Sequence, residues 1–297
     1  MKGFTSILVV ALAYEIAATS IIPGHSEREP LEHVAQFHSG FQPVSPTNSD
    51  SSLLTTCNGV LNTTTGGISY KAFEPIAANE RCVWTIRGGN AGGFSLNVFS
   101  IGSLGSRDTQ VIATCLRHRE NATHVLVNET GPVSGVGTCN VLVITLASGS
   151  DINNATGFVL EYSVLTAGYL SSSSRDYILN GGDAAIIPYP STSARYESYE
   201  LTTFAILPVP DSRTNVLYIK GELDGLTCWD TLAFIRFNAS STLPTKWQNE
   251  GRLCGNVLSE IMSNNDLILL TFDSDMSVVG TGFNLAVTAS VSSTCSL

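Results

Sequence analysis

Val141 to Tyr162 reads VLVITLASGSDINNATGFVLEY, and Leu267 to Val287 reads LILLTFDSDMSVVGTGFNLAV. Each consists of a dense apolar run, a Ser-Asp turn, a few small or polar residues, Gly-Phe and a closing stretch in which apolar and polar side chains alternate. Self-similarity at a separation of about one domain length means two copies of one fold in tandem. A chain of 297 residues leaves each copy enough length to bury its own core.

The copies read as β-structure. Phe94-Ser95-Leu96-Asn97-Val98 and Phe283-Asn284-Leu285-Ala286-Val287 place every second side chain on one face. For the denser runs, Val141-Leu142-Val143-Ile144-Thr145-Leu146 and Leu267-Ile268-Leu269-Leu270-Thr271-Phe272, buried helix is the competing reading, and their short length and β-branched content favour strand. They predict central strands covered on both faces. Gly, Asn and Ser clusters separate the runs at sandwich spacing. The fold class expected is all-β, two tandem antiparallel β-sandwiches of jelly-roll type.

Residues 1–19 carry Lys2, an apolar run from Ile7 to Ala13 and the small residues Ala17-Ala18-Thr19, the pattern of a secretory signal peptide. Glu15 interrupts the run well short of the roughly 18 residues a membrane span needs, and no later stretch supplies them. The Pro-, Ser- and Glu-rich segment 20–55 reads as a flexible leader. Modules are expected at 56–165 and 175–290, joined by a short linker at 166–174 and followed by a tail at 291–297.

Fifteen basic against 25 acidic residues, with no Lys/Arg cluster, exclude the electrostatic footprint of a nucleic-acid binder. Seven cysteines behind a signal peptide belong in an oxidising compartment, and their odd number leaves one over. Sequons at Asn62, Asn121, Asn128, Asn154 and Asn238 predict a glycoprotein. Hydrolase, zinc-protease, phosphate-loop and Cys-x-x-Cys motifs are all missing from the sequence. His25, His33 and His38 fall in the leader, while His118 and His124, among Arg117, Arg119 and Glu120, read as an exposed loop. Non-catalytic function follows as the expectation.

The repeated ending resembles the C-terminal signature of CUB domains, and other marks agree. Cys57-Asn58-Gly59-Val60-Leu61 with Gly66-Gly67-Ile68-Ser69 resembles the family's opening, and Glu80-Arg81-Cys82-Val83-Trp84-Thr85-Ile86 its second Cys followed by Trp-x-Ile. In the second module Ile187-Pro188-Tyr189-Pro190 resembles the Pro-Tyr-Pro turn, Cys228-Trp229-Asp230-Thr231-Leu232 the Cys-x-(Tyr)-Asp-x-Leu segment, and Leu253-Cys254-Gly255 the Cys-Gly. Tyr199-Glu200-Leu201 stands where the second module's Cys-x-Trp should be, so that module lacks the opening disulfide.

The resemblance implies disulfides Cys57–Cys82 and Cys228–Cys254, and leaves Cys115 with Cys139. Cys295 has no local mate; it is free or links two chains into a disulfide-bonded homodimer. The resemblance also implies a calcium site in the second module only, from Glu222, Asp230, Asp275 and Ser277, since calcium takes six to eight hard oxygen ligands. The first module offers Asp108 and Asp151 but has Ser100 in place of the Glu. The function implied is an extracellular protein- or glycan-binding module, calcium-dependent through the second copy. A disulfide-linked matrix component is the alternative, and a divergent secreted hydrolase has no motif behind it.

Overall fold

The computed structural model describes residues 53–88, 92–102, 109–152, 154–166, 168–209, 213–223, 228–264, 266–277 and 279–291. The segment expected to be a signal peptide, nearly all of the expected leader, Asp108 and Cys295 lie outside the described residues. The first half forms β1 (Leu53–Leu54), β2 (Gly59–Leu61), β3 (Thr65–Pro75), β4 (Arg81–Ile86), β5 (Phe94–Ile101), β6 (Gln110–Leu116), β7 (Thr123–Val127), β8 (Gly131–Pro132), β9 (Val141–Ala147) and β10 (Thr156–Val164). The second half forms β11 (Asp176–Leu179), β12 (Ala185–Tyr189), β13 (Leu201–Ile206), β14 (Arg213–Glu222), β15 (Thr231–Phe237), β16 (Trp247–Leu253), β17 (Asn256–Asn264), β18 (Ile268–Asp273) and β19 (Gly282–Val291). The described chain is all-β, and no helix in it is long and apolar enough to cross a membrane.

Four sheets result, ordered β1-β3-β10-β5-β8, β2-β4-β9-β6-β7, β11-β13-β18-β15-β16 and β12-β19-β14-β17. The two halves share one topology, with β4, β9 and β6 of the first matched by β13, β18 and β15 of the second. Pairing is antiparallel except for β1 with β3, β2 with β4 and β11 with β13. Ile187-Pro188-Tyr189, expected in a turn, is instead strand β12 paired along β19, with Tyr189 buried against Phe204, Phe272 and Phe283.

Each sandwich buries the inward side chains of its two sheets. Trp84 anchors the first core between Tyr70 and Phe158, and Phe204 anchors the second between Tyr177, Tyr189 and Phe283. Leu142, Ile144 and Leu146 of β9 point into the first core; Ile268, Leu270 and Phe272 of β18 point into the second. The alternate residues of those strands form a third core. Val141 and Val143 meet Leu267 and Leu269, with Ile112, Phe237 and Trp247 beside them, so the sheet β2-β4-β9-β6-β7 packs face to face on β11-β13-β18-β15-β16. This is why both dense runs are apolar at nearly every position. An apolar face of this kind between domains suppresses the relative motion expected of a polar one.

A buried ion pair links the two halves. Arg87 grips Asp176 with two bonds of 2.6 Å, and its Nη2 also donates to the Leu201 carbonyl at 2.8 Å. Thr203 Oγ1 donates to the same carboxylate at 2.6 Å. Three disulfides close, Cys57–Cys82, Cys115–Cys139 and Cys228–Cys254, over sequence separations of 25, 24 and 26 residues.

Candidate binding surface at the junction of the sandwiches

One corner is built identically in the two sandwiches. Glu80 donates its backbone N–H to Ser148 Oγ at 2.7 Å, and that hydroxyl donates to the Ala77 carbonyl at 2.6 Å. Glu200 donates to Ser274 Oγ at 2.9 Å, and that hydroxyl donates to the Glu197 carbonyl at 2.7 Å. The Glu80 carboxylate accepts from the Tyr70 hydroxyl, and the Glu200 carboxylate from the Tyr189 hydroxyl. In the next strand Gly157 and Gly282 pass so close to these tyrosines that a Cβ would lie 1.8 Å from the Tyr70 carbonyl oxygen and 1.9 Å from that of Tyr189. The Gly-Phe repeat therefore exists because only glycine fits against the neighbouring strand.

This register corrects two readings of the sequence. Ser274 matches Ser148 and not Ser150, so the first-module counterpart of Asp275 is Gly149 and not Asp151. The bonds from Asn79 N to Gly149 O and from Tyr199 N to Asp275 O, both 2.9 Å, fix the match. The counterpart of Cys82 is then Thr202, and that of Trp84 is Phe204, three residues beyond Leu201.

The residues implied for calcium are placed as follows. Asp230 and Asp275 are buried side by side, with Asp275 N–H donating to Asp230 Oδ1 at 2.7 Å and the Tyr196 hydroxyl to Asp230 Oδ2 at 2.5 Å. Ser277 donates to Asp275 through its N–H at 2.7 Å and its hydroxyl at 2.9 Å. These are hard oxygen donors on adjoining loops, the chemistry calcium takes. Glu222, at the exposed end of β14, does not join them: among the described residues, the group of three His, Cys, Asp or Glu ligand atoms within 4.8 Å of one another is Cys57, Glu80 and Cys82, whose sulfurs are spent in a disulfide. In the first module Asp151 is exposed.

The loop 117–120 of the first module lies against these acidic loops. His118 Nδ1 is 2.5 Å from Asp273 Oδ1, and the Arg119 N–H donates to Asp273 Oδ2. The Arg119 guanidinium lies 4.5 Å from the centre of the Trp229 ring, a cation–π contact across the junction. His124 is half-buried in β7, stacked on Trp247 at 5.7 Å, and takes part in a 3.0 Å hydrogen bond between Nδ1 and Thr114 Oγ1. His124 lies in a strand and not in an exposed loop, while His118 lies in the loop 117–120 with its side chain only partly exposed, because the second sandwich covers that face.

Around this seam the surface is aromatic. Tyr169 of the linker is 91% exposed, Met276 68% and Trp229 49%. Tyr199 stands among them, its hydroxyl on Met276 Sδ at 2.9 Å and its ring 5.6 Å from that of His118. Tyr169, Tyr199, His118 and Asn140 line an open groove of about 740 Å³. Tyr199 has φ +60°, a left-handed backbone that costs a non-glycine residue about 1–2 kcal/mol. The matching position in the first module holds Asn79, at φ +57°, a residue type that tolerates this region far better.

The sequon residues Asn62, Asn121, Asn128 and Asn154 are exposed, and Asn238 is partly so, its Oδ1 accepting from the Ser240 N–H at 2.9 Å.

No family model matches the chain, and no curated protein does. Among solved structures, the chain is similar to the CUB1-EGF-CUB2 domain of human MASP-1/3, with a TM-score of 0.32 and 14% identity over 77% of this chain and 100% of that one. The CUB1-EGF-CUB2 domains of rat MASP-1 give 0.30 and 14% over 78% and 99%. The full extracellular region of zebrafish Gpr126/Adgrg6 gives 0.27 and 13%, over 80% of this chain and 38% of that one.

Proposed function

We propose that this chain is a secreted glycoprotein that works without catalysis, binding an extracellular protein or glycan through the surface around Tyr199. The observation that carries the reading is the exposed cluster of Tyr169, Tyr199, Trp229 and Met276, set on a junction that the third core makes rigid. Aromatic side chains with few torsions present large contact area at low entropic cost, and such residues dominate binding hot spots. Tyr199 occupies a backbone position that favours asparagine or glycine, which is the cost a chain bears where the side chain itself is needed.

Calcium belongs to this reading through the second module. Asp230, Asp275 and Ser277 would hold it, and the ion would order the loops that carry Trp229 and Met276. The test is affinity capture from the source's extracellular fluid, with and without chelator. A ligand retained with calcium and released by chelator is expected; no retained ligand overturns the binding function, and chelator-insensitive retention overturns the calcium clause alone.

A second reading has one observation behind it. Six of the seven cysteines are paired, which leaves Cys295 for an intermolecular bond and a matrix role. A non-reducing gel separates the two, since a matrix component runs as multimers.

A further inference from the structure

Between the turn joining β6 to β7 and the β15–β16 pair lies a cleft of about 220 Å³. Asn121 and Ala122 of the first sandwich form one wall; Thr231, Phe234, Asn249 and Arg252 of the second form the other. Gly251, opposite Phe234 in the strand pair, puts no side chain into it.

Asn121 is the acceptor of the sequon Asn121-Ala122-Thr123, and its side chain lines this cleft while remaining exposed. Its Oδ1 accepts from Arg252 Nη2 at 2.9 Å, across the junction. That bond sets the amide plane and uses only the oxygen. Glycosylation takes a proton from Nδ2 and forms a bond to C1 of the sugar, displacing the lipid pyrophosphate of the donor, so Oδ1 stays available to Arg252.

We infer that the first N-acetylglucosamine of the Asn121 glycan seats in this cleft and clamps the two sandwiches together. The inference rests on the secretory reading above. The sugar's apolar ring face meets Ala122 and Ala233, while its hydroxyls and acetamide find Thr231, Asn249 and Arg252. Because the sugar is tethered at the cleft wall, its effective concentration is high and weak contacts suffice to hold it. The occupant is thus part of the chain's own secreted form.

The experiment uses the full chain secreted from a glycosylating cell, as wild type, Thr123→Ala and Thr123→Ser. Thr123→Ala removes the sequon but keeps Asn121 and its bond to Arg252; Thr123→Ser keeps the sequon. Thr123→Ala is expected to lower the melting temperature by about 2–4 °C, with Thr123→Ser at the wild-type value. On the native protein, an amidase that releases N-glycans should free the Asn121 glycan roughly tenfold more slowly than the Asn62 glycan, one decade corresponding to the protection of a modest contact. Equal release rates together with equal melting temperatures would overturn the clamp. Occupied sequons elsewhere with Asn121 bare would also overturn it while leaving secretion intact, whereas no glycan at any sequon would count against the secretory reading itself.

Discussion

Glu80 and Glu200, 120 positions apart in sequence, each hand their backbone N–H to a serine hydroxyl, Ser148 at 2.7 Å and Ser274 at 2.9 Å. Each serine passes its own proton to a carbonyl three residues before the glutamate. Ser148→Ala and Ser274→Ala each leave a shielded N–H and a carbonyl without partners, and each should cost about 1–3 kcal/mol by chemical denaturation. The symmetry requires losses of similar size. A loss at one site only would mean that the corners are not equivalent.

The glycines of the repeated Gly-Phe pair carry a steeper expectation. A Cβ on Gly282 would meet the Tyr189 carbonyl oxygen at 1.9 Å, and its φ is +85°. Gly282→Ala therefore forces β19 away from β12 and should destabilise by about 2–3 kcal/mol or more, read as the shift in denaturation midpoint. Gly131→Ala, at φ +113° with open space around it, isolates the backbone contribution and should cost less.

Arg87 and Asp176 form the buried link between the sandwiches, with the Asp176 side chain only 2% exposed. Asp176→Ala leaves the guanidinium buried without its carboxylate and should cost about 3–5 kcal/mol. Replacing both residues by apolar ones of similar volume should cost much less, since desolvation of the pair offsets most of its attraction. Equal losses for the single and double variants would argue that the pair's role is steric.

His124 gives the fold a dependence on acid. Burial pushes its imidazole down from 6.5 to about 4. Between those values the unfolded chain binds more protons than the folded one, so stability is full above about pH 6.5 and declines as pH falls, by up to about 1.4 kcal/mol per unit. Urea unfolding at about pH 7.5 and about pH 5 should show wild type losing about 2 kcal/mol more than His124→Phe, which keeps the stack on Trp247. Parallel losses would place the acid sensitivity elsewhere.

The sequence carried the strands, the tandem repeat and the apolar character of β9 and β18, because period-2 patterning and duplicated motifs are local signals. It also carried the demand for cover on both faces of those strands. What supplies the outer cover was not legible, since Val141 and Val143 do not name Leu267 and Leu269 as partners. The repeat was aligned two residues off at Ser274 because the dipeptide Ser-Asp occurs in both copies. The true match is set by the hydrogen bond that the Glu80 N–H donates to Ser148 Oγ, 68 residues away, and nothing local encodes it. The partial cover over His118 and His124 is not legible for the same reason. Their neighbours are charged, and the surface that partly covers them comes from the other sandwich. The left-handed backbone at Tyr199 was equally silent in the sequence, although Asn79 at the matching position is a residue type that favours it.

The most direct test of the account is a comparison of ligand capture from extracellular fluid by wild type, Trp229→Ala, Tyr199→Asn and the control Phe73→Ala. Phe73 is 90% exposed on β3, in the outer sheet of the first sandwich, and takes no part in the junction. Tyr199→Asn restores the residue type found at Asn79, so it should fold with no loss of stability beyond about 0.5 kcal/mol. The account predicts that wild type and Phe73→Ala retain the same ligand, while Trp229→Ala and Tyr199→Asn lose it at least tenfold, a hot-spot effect of about 1.4 kcal/mol or more. Retention by all four proteins alike would contradict the assignment of the binding surface to the junction.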